Sequence, residues 1–504
     1  MRESIDKVGF NRKIGSLGLM AGAVFMLAGC VGGEDTSMAR AATTIVNVPA
    51  GIAQESADNY DDNENGLITG ATLSHWIGDW DNRRPDGVNG RLIILQTAAG
   101  GAGAEYIKSI PGKVHTYEVP SSEWVQTRSN GVTVTSSMVP DGPTMDAFLK
   151  KYGIDPVNDM IVCAMGGASN PLAMRQGRCW YMFRYWGVDS KNLALLNGGN
   201  SWNLSSANML PTDFSTSASV PPNNGRSSVK LLPQDNTSLM ATIDDMLDIV
   251  TPTRGNDTLN GALIWDARSL SQYSAGEARE RGEREVSTDS ATACAAAYCG
   301  PVADYMTTFQ GNASRQGHPN GTLQLQYTHM LYQSAAEGFR YKNKAELAAY
   351  LNGNADSNGM QFVDHTYQPV GIGNAYQPGD TLYMYCETTF RAMITGMVTA
   401  VVLGLPTRFY DGAMTEWNSL SNINTTEGTP ILPATSPWRT DLDRVSFFVA
   451  SNDPSKIEAR AVDNAYAVSA DAIVQADRAY KGVAAASTGG SGGGVSAPSN
   501  PCGG

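Results

Sequence analysis

The sequence predicts an α/β protein of two tandem, doubly wound parallel-sheet domains, followed by a C-terminal helical extension and a flexible tail. Short apolar runs of the fully buried type alternate with helical stretches, which is the pattern of a parallel sheet. Both halves share one order of elements, and a repeat this long indicates duplication of a whole domain. The 504 residues, 42% hydrophobic and 17% charged, suffice for two ordinary cores.

The chain opens with a basic segment and a short apolar run. Four basic residues precede 14–28, which is too short for a comfortable bilayer span but suits a signal peptide. Leu27-Ala28-Gly29-Cys30 resembles the lipobox of bacterial lipoproteins, in which the cysteine is diacylated and becomes the new N-terminus. The resemblance implies that Cys30 anchors the protein in the bacterial cell envelope, on the outer membrane or the periplasmic face. An ordinary signal peptide or a short anchor is the alternative.

Short strands and helices follow one another through the first half. Strands are predicted at 91–96 and 159–164, and 193–200 holds a further strand and a glycine turn. Helices are predicted at 145–152 and 178–185.

The second half repeats this order. Strands are predicted at 262–267, 381–385 and 407–410, with helices at 344–351 and 390–403.

These signals divide the chain into six segments. They are 1–29 for the signal peptide, 30–65 for the lipidated N-terminus and linker, 66–235 and 236–425 for the two domains, 426–484 for a helical extension, and 485–504 for a Gly/Ser-rich tail.

Several segments resemble the rhodanese family of sulfurtransferases. In the second half they are 263–269 (LIWDARS), 317–321 (GHPNG), the loop 386–392 (CETTFRA) and 410–417 (YDGAMTEW); in the first half they are 178–187 and 196–202. The resemblance covers roughly residues 66–425 and implies rhodanese-like domains, of which only the second is catalytic. In the first, Met165 stands where a catalytic cysteine would lie.

The resemblance implies that Cys386 is a sulfur-carrying nucleophile and that Arg391 is a second catalytic residue. Cys386 would take sulfane sulfur from a small anionic donor, of the thiosulfate or mercaptopyruvate type, and pass it as a persulfide to a thiol acceptor. No cofactor is implied. Redox proteins are further candidate partners.

The position of Cys386 also suits a reactive thiol on physical grounds. A strand, a tight loop and a helix beginning near Arg391 would direct backbone N–H groups and the positive helix end toward the sulfur, which favours a thiolate. A buried, inert cysteine is the alternative. Four residues separate Cys386 from Arg391, one fewer than in the related phosphatase and arsenate-reductase loops, which favours a single sulfur or selenium atom over a tetrahedral oxyanion.

The predicted substrate-binding residues include several departures from the family. They are Glu387, Thr388, Thr389, Phe390, Arg315, Gln272 and Arg268. Glu387 places a negative charge beside the sulfur, and we expect Arg391 to neutralise it. Thr389 replaces a usual glycine, so the loop must close without positive φ or with strain. Gln272 replaces a usual substrate-binding arginine; Arg315 and Arg268 would compensate, although Arg268 is more often structural.

The other cysteines have separate predicted roles. Cys294 and Cys299 lie in a long insertion and are predicted to form a disulfide, with a redox-active dithiol as the alternative. Cys163 and Cys179 either pair or are buried separately, and separate burial is favoured. Cys502 lies in the tail.

Charge and histidine spacing exclude two classes of partner. The count of 36 basic and 49 acidic residues gives −13, so nucleic-acid binding has no electrostatic support. The five histidines show no ligand spacing, so no metal site is predicted, and His318 is expected to pack in its turn.

Three functions remain open from the sequence. The first is an extracytoplasmic sulfurtransferase, which the intact Cys, Arg and Asp-Gly frame favours. The second is a rhodanese-like accessory lipoprotein without turnover, in extracytoplasmic electron transfer or selenite-type oxyanion handling, which the unusual loop favours. The third is a purely structural or interaction module.

Overall fold

The structure is a computed structural model that describes residues 44–130, 134–250, 261–274, 317–420 and 471–483. The predicted lipidation site Cys30 lies outside the described residues, as do Cys294, Cys299 and Arg315 of the insertion, and Cys502 of the tail. The predictions made for these residues therefore stay predictions.

The described strands are mostly short. They are β1 (Ile45–Val46), β2 (Gly66–Ile68), β3 (Leu92–Gln96), β4 (Tyr106–Ile107), β5 (Val114–Glu118), β6 (Gln126–Ser129), β7 (Val134–Met138), β8 (Met160–Ala164), β9 (Leu193–Leu196), β10 (Phe214–Ser215), β11 (Gln234–Asp235), β12 (Met240–Ala241), β13 (Ala262–Asp266), β14 (Thr322–Gln324), β15 (Thr381–Tyr385) and β16 (Thr407–Tyr410).

The described α-helices range from single turns to 17 residues. They are α1 (Pro49–Ile52), α2 (Gly70–Gly78), α3 (Trp80–Arg83), α4 (Gly142–Tyr152), α5 (Asn170–Trp186), α6 (Asn200–Ser205), α7 (Ile243–Ile249), α8 (Leu270–Tyr273), α9 (Lys344–Leu351), α10 (Phe390–Met397), α11 (Ala413–Leu420) and α12 (Ala472–Lys481).

Two five-stranded parallel sheets carry the fold. The first has the order β2-β9-β8-β3-β5 and the second the order β12-β16-β15-β13-β14. When the strands of each sheet are numbered along the chain, both orders are 1-5-4-2-3. The predicted α/β class with parallel sheets is confirmed, and the repeat of elements corresponds to a repeat of topology.

Each sheet is covered on both faces, as a doubly wound fold requires. Alternate residues of the first sheet, such as Leu92 and Ile94, pack under α2 and α3, and the outer face of the second sheet packs under α7 and α11. The inner faces share one hydrophobic core, which contains Leu95 of the first sheet and Trp265 of the second. Both sheets belong to one compact unit, and the proposed boundary between 235 and 236 stays a prediction.

Most predicted elements are confirmed, with shifts at their ends. The strands at 381–385 and 407–410 and the helix at 344–351 match to the residue. The helix predicted at 178–185 begins earlier, at Asn170, with Pro171 in its first turn, where a missing N–H costs nothing. The helix predicted at 390–403 is α-helical only to Met397 and continues as a π-helical turn over Val398–Val402.

Within the predicted C-terminal extension, the structure describes α12. Its Asp477 accepts two hydrogen bonds of 2.8 Å from Arg128 and one of 2.7 Å from Tyr185. Lys481 donates to the carbonyl of Trp186 at 2.9 Å. This helix is therefore packed into the surface of the first half.

Candidate active site

Cys386 directly follows β15, a strand flanked by β13 and β16 within the second sheet. Functional residues of open parallel sheets lie at this carboxyl end of the strands. The thiol is 1% exposed, and it is the only free cysteine among the described residues. Its carbonyl accepts a hydrogen bond of 3.1 Å from the N–H of Met414, so the loop lies against the start of α11.

Thr389 closes the loop in a left-handed conformation, with φ of +65°. The strained alternative predicted for this position is thus the one that the structure adopts. The fully buried hydroxyl donates to the carbonyls of Tyr410 at 2.9 Å and Asp411 at 3.0 Å. These contacts hold the residue from which α10 starts.

Glu387 is tied down through both its backbone and its carboxylate. Its carbonyl accepts from the N–H and the hydroxyl of Thr415, at 3.2 and 2.7 Å. Its carboxylate lies 3.3 Å from the guanidinium of Arg268. The expectation that Arg391 neutralises Glu387 is wrong, because the buried Arg268 reaches this carboxylate from the neighbouring strand end.

Arg268 belongs to a buried ionic cluster beneath the loop. It pairs with Asp266 at 2.6 Å and donates to the carbonyl of Gly317 at 2.5 Å. Tyr385 also donates to Asp266, at 2.7 Å. Arg268 is fully buried, and this geometry fits a structural role.

Arg391 reaches a different partner. Its guanidinium donates to the side-chain oxygen of Gln272 on α8, at 2.5 Å. Thr388, Phe390 and Arg391 are partly exposed, so solvent reaches the loop along these residues. The structure brings Gln272, Arg391 and the Cys386 loop together, as the sequence predicted, and Arg315 lies outside the described residues.

His318 and Tyr327 flank the site. The His318 ring stacks on Tyr273 with centroids 3.6 Å apart, and its Nδ1 lies 2.8 Å from the Tyr273 carbonyl. Burial lowers the pKa of His318 to about 4, so the ring is neutral at neutral pH. Burial raises the pKa of Tyr327, an effect that nearby Arg391 opposes and Cys386 reinforces. Tyr327 was not predicted as a site residue, because an isolated tyrosine in a loop carries no sequence signal for such a role.

The two halves of the molecule meet at Asp411. Its carboxylate accepts from Arg178 of α5 at 2.5 Å and from the N–H of Val139 at 2.6 Å. Arg178 and Asp411 are both fully buried. Both lie in segments that resemble the family, but nothing in the sequence indicates that they form a pair.

The first half carries no thiol at the corresponding position. Met165 follows β8 as Cys386 follows β15, and it is 1% exposed. Cys163, the second-to-last residue of β8, forms a disulfide with Cys179 of α5, and their Cα atoms are 6.0 Å apart. The preference for two separate buried thiols is therefore wrong: the strand and the helix that covers it hold both cysteines within bonding distance.

Two features are absent from the described residues. No group of three or more His, Cys, Asp or Glu side chains there is suited to hold a metal ion. No helix in the described part of the chain is long and apolar enough to cross a membrane.

Comparison with solved structures finds distant similarities. SseA from Escherichia coli, described as a 3-mercaptopyruvate sulfotransferase with the "rhodanese" fold, is 16% identical, with a TM-score of 0.41 over 69% of this chain and 98% of that chain. Tum1 from Saccharomyces cerevisiae is 14% identical, with a TM-score of 0.42 over 70% of this chain and 95% of that chain.

An anaerobic ergothioneine biosynthesis enzyme from Chlorobium limicola is 16% identical, with a TM-score of 0.39 over 73% of this chain and 70% of that chain. The sequence matches no protein-family profile and no curated protein. The chemistry of this chain therefore rests on its own site residues.

Proposed function

We propose that the protein is an extracytoplasmic, rhodanese-like sulfurtransferase in which Cys386 carries the transferred sulfur as a persulfide. The observation that carries the proposal is the placement of Cys386. A free thiol lies at the carboxyl end of a strand inside the second sheet, in a loop tied to α11 and directly ahead of α10. Backbone N–H groups of such a loop and the positive end of a helix stabilise a thiolate and, after sulfur loading, the terminal sulfur of a persulfide.

Sulfur loading is a displacement at sulfur. The Cys386 thiolate attacks the outer sulfur of a donor such as thiosulfate, a new S–S bond forms, and the old S–S bond breaks. Sulfite leaves with the electron pair of the broken bond, and the enzyme holds Cys–S–S⁻. Arg391 is the cation available to bind the anionic donor, because its described partner is the neutral amide of Gln272.

Sulfur unloading regenerates the enzyme. An acceptor thiolate attacks the terminal sulfur of the persulfide, and the S–S bond to Cys386 breaks. The acceptor leaves as a persulfide, and Cys386 returns to a thiolate. No external oxidant or reductant is consumed, and the two steps form a double-displacement cycle.

Export from the cytoplasm has a structural argument of its own. Disulfides persist in oxidising compartments and are rare in the cytosol, where thiols are kept reduced. The buried Cys163–Cys179 disulfide supports the extracytoplasmic location that the segment ending at Cys30 predicts. We propose a lipid anchor at Cys30 on the outer membrane or the periplasmic face.

A second function is favoured by two observations at the site. Cys386 is only 1% exposed. The side chain of Gln272 accepts a hydrogen bond from Arg391, whereas the family usually has an arginine at the position of Gln272. Both features suit an accessory lipoprotein that binds or relays sulfur or selenium without turnover, with redox proteins as partners. Turnover separates the two functions, because only the transferase passes its sulfur to a thiol acceptor and completes the cycle.

The test is intact-protein mass spectrometry after incubation with thiosulfate, mercaptopyruvate or a persulfide donor. We expect the protein to gain one sulfur atom and to lose it when a thiol acceptor is added.

The matched variant is Cys386→Ser, which keeps the size of the side chain and removes the nucleophile. It should abolish both sulfur loading and turnover, while the Cys163–Cys179 disulfide and the thermal unfolding transition stay intact. If wild-type protein gains no sulfur from any of these donors, the transferase proposal fails and the accessory function takes its place.

A further inference from the structure

Helix α5 of the first half lies directly against α10, the helix that follows Cys386. Gly177 of α5 makes this approach possible, because a Cβ atom there would lie 2.7 Å from the Cβ of Met393. The next residue, Arg178, is fully buried. Its guanidinium carbon lies 5.7 Å from the ring of Phe390, the first residue of α10.

Arg178 holds two groups at once. One terminal nitrogen donates to the Asp411 carboxylate at 2.5 Å, and the other donates to the carbonyl of Ser137 at 2.8 Å. The second oxygen of the Asp411 carboxylate accepts from the N–H of Val139 at 2.6 Å. Both oxygens of this second-half carboxylate are therefore fixed by the first half.

We call the contacts of Arg178 and Val139 with the Asp411 carboxylate the clamp. The backbone of Asp411 links this clamp to the Cys386 loop. Its carbonyl accepts the hydroxyl of Thr389, the residue that closes the loop at positive φ. A β-branched residue in this conformation persists only where its surroundings impose it. The orientation of Asp411, and with it the hydroxyl acceptor of Thr389, is set by Arg178 and Val139.

We propose that Arg178, on a helix of the half that lacks the nucleophile, is a positioning residue for the Cys386 loop. It acts through its contact with Asp411, which in turn holds Thr389, and it packs against the ring of Phe390. It does not touch the substrate. The inference rests on the proposed sulfur-transfer function of Cys386. The first half, which the sequence predicted to be non-catalytic, would then help to position the residues of the site.

Compared with an apolar contact, an ion pair at this position fixes the orientation of the groups that it joins. A buried ion pair adds little stability over an apolar pair of the same volume. The planar guanidinium, however, fixes two acceptors in a defined geometry, which an apolar contact does not. The arrangement therefore suits the holding of a strained loop.

The test is the midpoint of the pH dependence of Cys386 alkylation by iodoacetamide in the full-length protein, measured for Arg178→Met and Asp411→Asn. If the clamp positions the loop, both variants raise the midpoint, because the proposed stabilisation of the thiolate by loop N–H groups depends on the conformation of the loop. We also expect kcat of sulfur transfer to fall by about tenfold or more, with KM for the donor changed by less than about threefold.

The two variants distinguish positioning from a direct effect of charge. Arg178→Met removes a positive charge and Asp411→Asn removes a negative one, so a through-space effect on the thiolate would have opposite signs in the two variants. A midpoint that rises in one variant and falls in the other overturns the proposal, as does an unchanged midpoint. If Arg178→Met does not fold, Asp411→Asn decides alone, since a lowered or unchanged midpoint contradicts positioning.

Arg184 provides the matched control on the same helix. It is also buried, but its guanidinium donates to the carbonyls of Ile52 and Val188, which lie in the N-terminal part of the fold. Arg184→Met should lower thermal stability without moving the alkylation midpoint; an equal shift would reduce Arg178 to a structural residue. Alkylation of Cys386 does not require turnover. If wild-type protein loads no sulfur, the proposed function fails, but the alkylation midpoints of the variants still test the positioning role of Arg178.

Discussion

At the scale of single residues, the site depends on how its charges and hydroxyls are paired. Glu387 is an unfavourable neighbour for a nucleophilic sulfur, yet its carboxylate is 3.3 Å from Arg268. This pairing leaves Arg391 with Gln272 and keeps it at the partly exposed side of the loop. The unusual residues of the loop are therefore accommodated by partners that differ from the expected ones.

Thr389 gives a prediction at this scale. Thr389→Val keeps the volume and the β-branch of the side chain, so the backbone strain is unchanged. The variant loses the hydroxyl that donates to the carbonyls of Tyr410 and Asp411. We expect the free energy of unfolding to fall by about 1–3 kcal/mol, because buried acceptors lose a partner. Urea unfolding measures this loss.

Thr395→Val is the control for this substitution. Thr395 is also fully buried in α10, but its hydroxyl donates to Ala392 within the same helix at 3.1 Å. That carbonyl keeps its helical hydrogen bond, so the variant should lose less stability than Thr389→Val. Equal losses, or a Thr389→Val protein as stable as wild type, would contradict the role given to the Thr389 hydroxyl.

At the scale of elements, α11 connects the second sheet to the segment that follows β6. Glu416 of α11 accepts a hydrogen bond from the side chain of Asn130 at 2.5 Å. Burial, with the charge of Asp411 added to it, raises the pKa of Glu416 from 4.5 to about 7. The carboxyl at this contact is thus mostly protonated in mildly acidic solution.

This pKa predicts a pH dependence of stability. The folded pKa of Glu416 lies above its unfolded value, so its contribution is fully present below about pH 4.5 and is lost as the pH rises through about 7. Glu416→Gln does not titrate at this position. We expect the variant to gain stability relative to wild type between pH 5 and pH 8, by up to about 3 kcal/mol.

The measurement is the free energy of urea unfolding at several pH values in that window. Glu337→Gln serves as the control, because the Glu337 side chain is 46% exposed and pairs with Arg340 on the surface. It should leave the pH dependence of stability as in wild type. A Glu416→Gln protein whose stability runs parallel to wild type across the window would show that Glu416 does not titrate there.

At the scale of the whole molecule, the two halves share one core and several polar contacts. The core extends from Leu95 to Trp265, and the Arg178–Asp411 pair joins α5 to the turn after β16. Arg128 and Tyr185 of the first half also hold Asp477 of α12. We therefore expect the described body of the protein to respond as one unit when either half is destabilised.

The attachment of this body to the envelope is a prediction at the same scale. Two or three acyl chains on Cys30 give firm anchoring, since each buried CH₂ contributes about 0.8 kcal/mol. In the native bacterial host, Cys30→Ala should leave the protein unprocessed or release it from the membrane fraction. Fractionation with immunodetection, together with the mass of the mature N-terminus, measures both outcomes.

Cys386→Ser is the control for localisation, because it alters a cysteine without touching the export segment. It should fractionate with wild type. Recovery of mature, membrane-bound Cys30→Ala protein in the same amount as wild type would defeat the lipid anchor.

Local patterns in the sequence determined much of the fold. Buried parallel strands such as β8 and β15 are continuous apolar runs, and their helices begin and end at residues with clear preferences. The edge strands β2, β5, β12 and β14 were not predicted, and β2, β12 and β14 have only two or three residues each, too few to show a period. The position of Cys386 between a strand and a helix could also be predicted from the sequence.

Only the tertiary structure decided which side chains meet. Arg178 and Asp411 are 233 residues apart, and Arg391 and Gln272 are 119 apart. The Cys163–Cys179 bond depends on how α5 lies on β8. Apolar periodicity reports whether a position is buried, but a pairing depends on how two buried faces dock. That docking is set by the whole core, so the clamp on the Cys386 loop could be found only in the folded molecule.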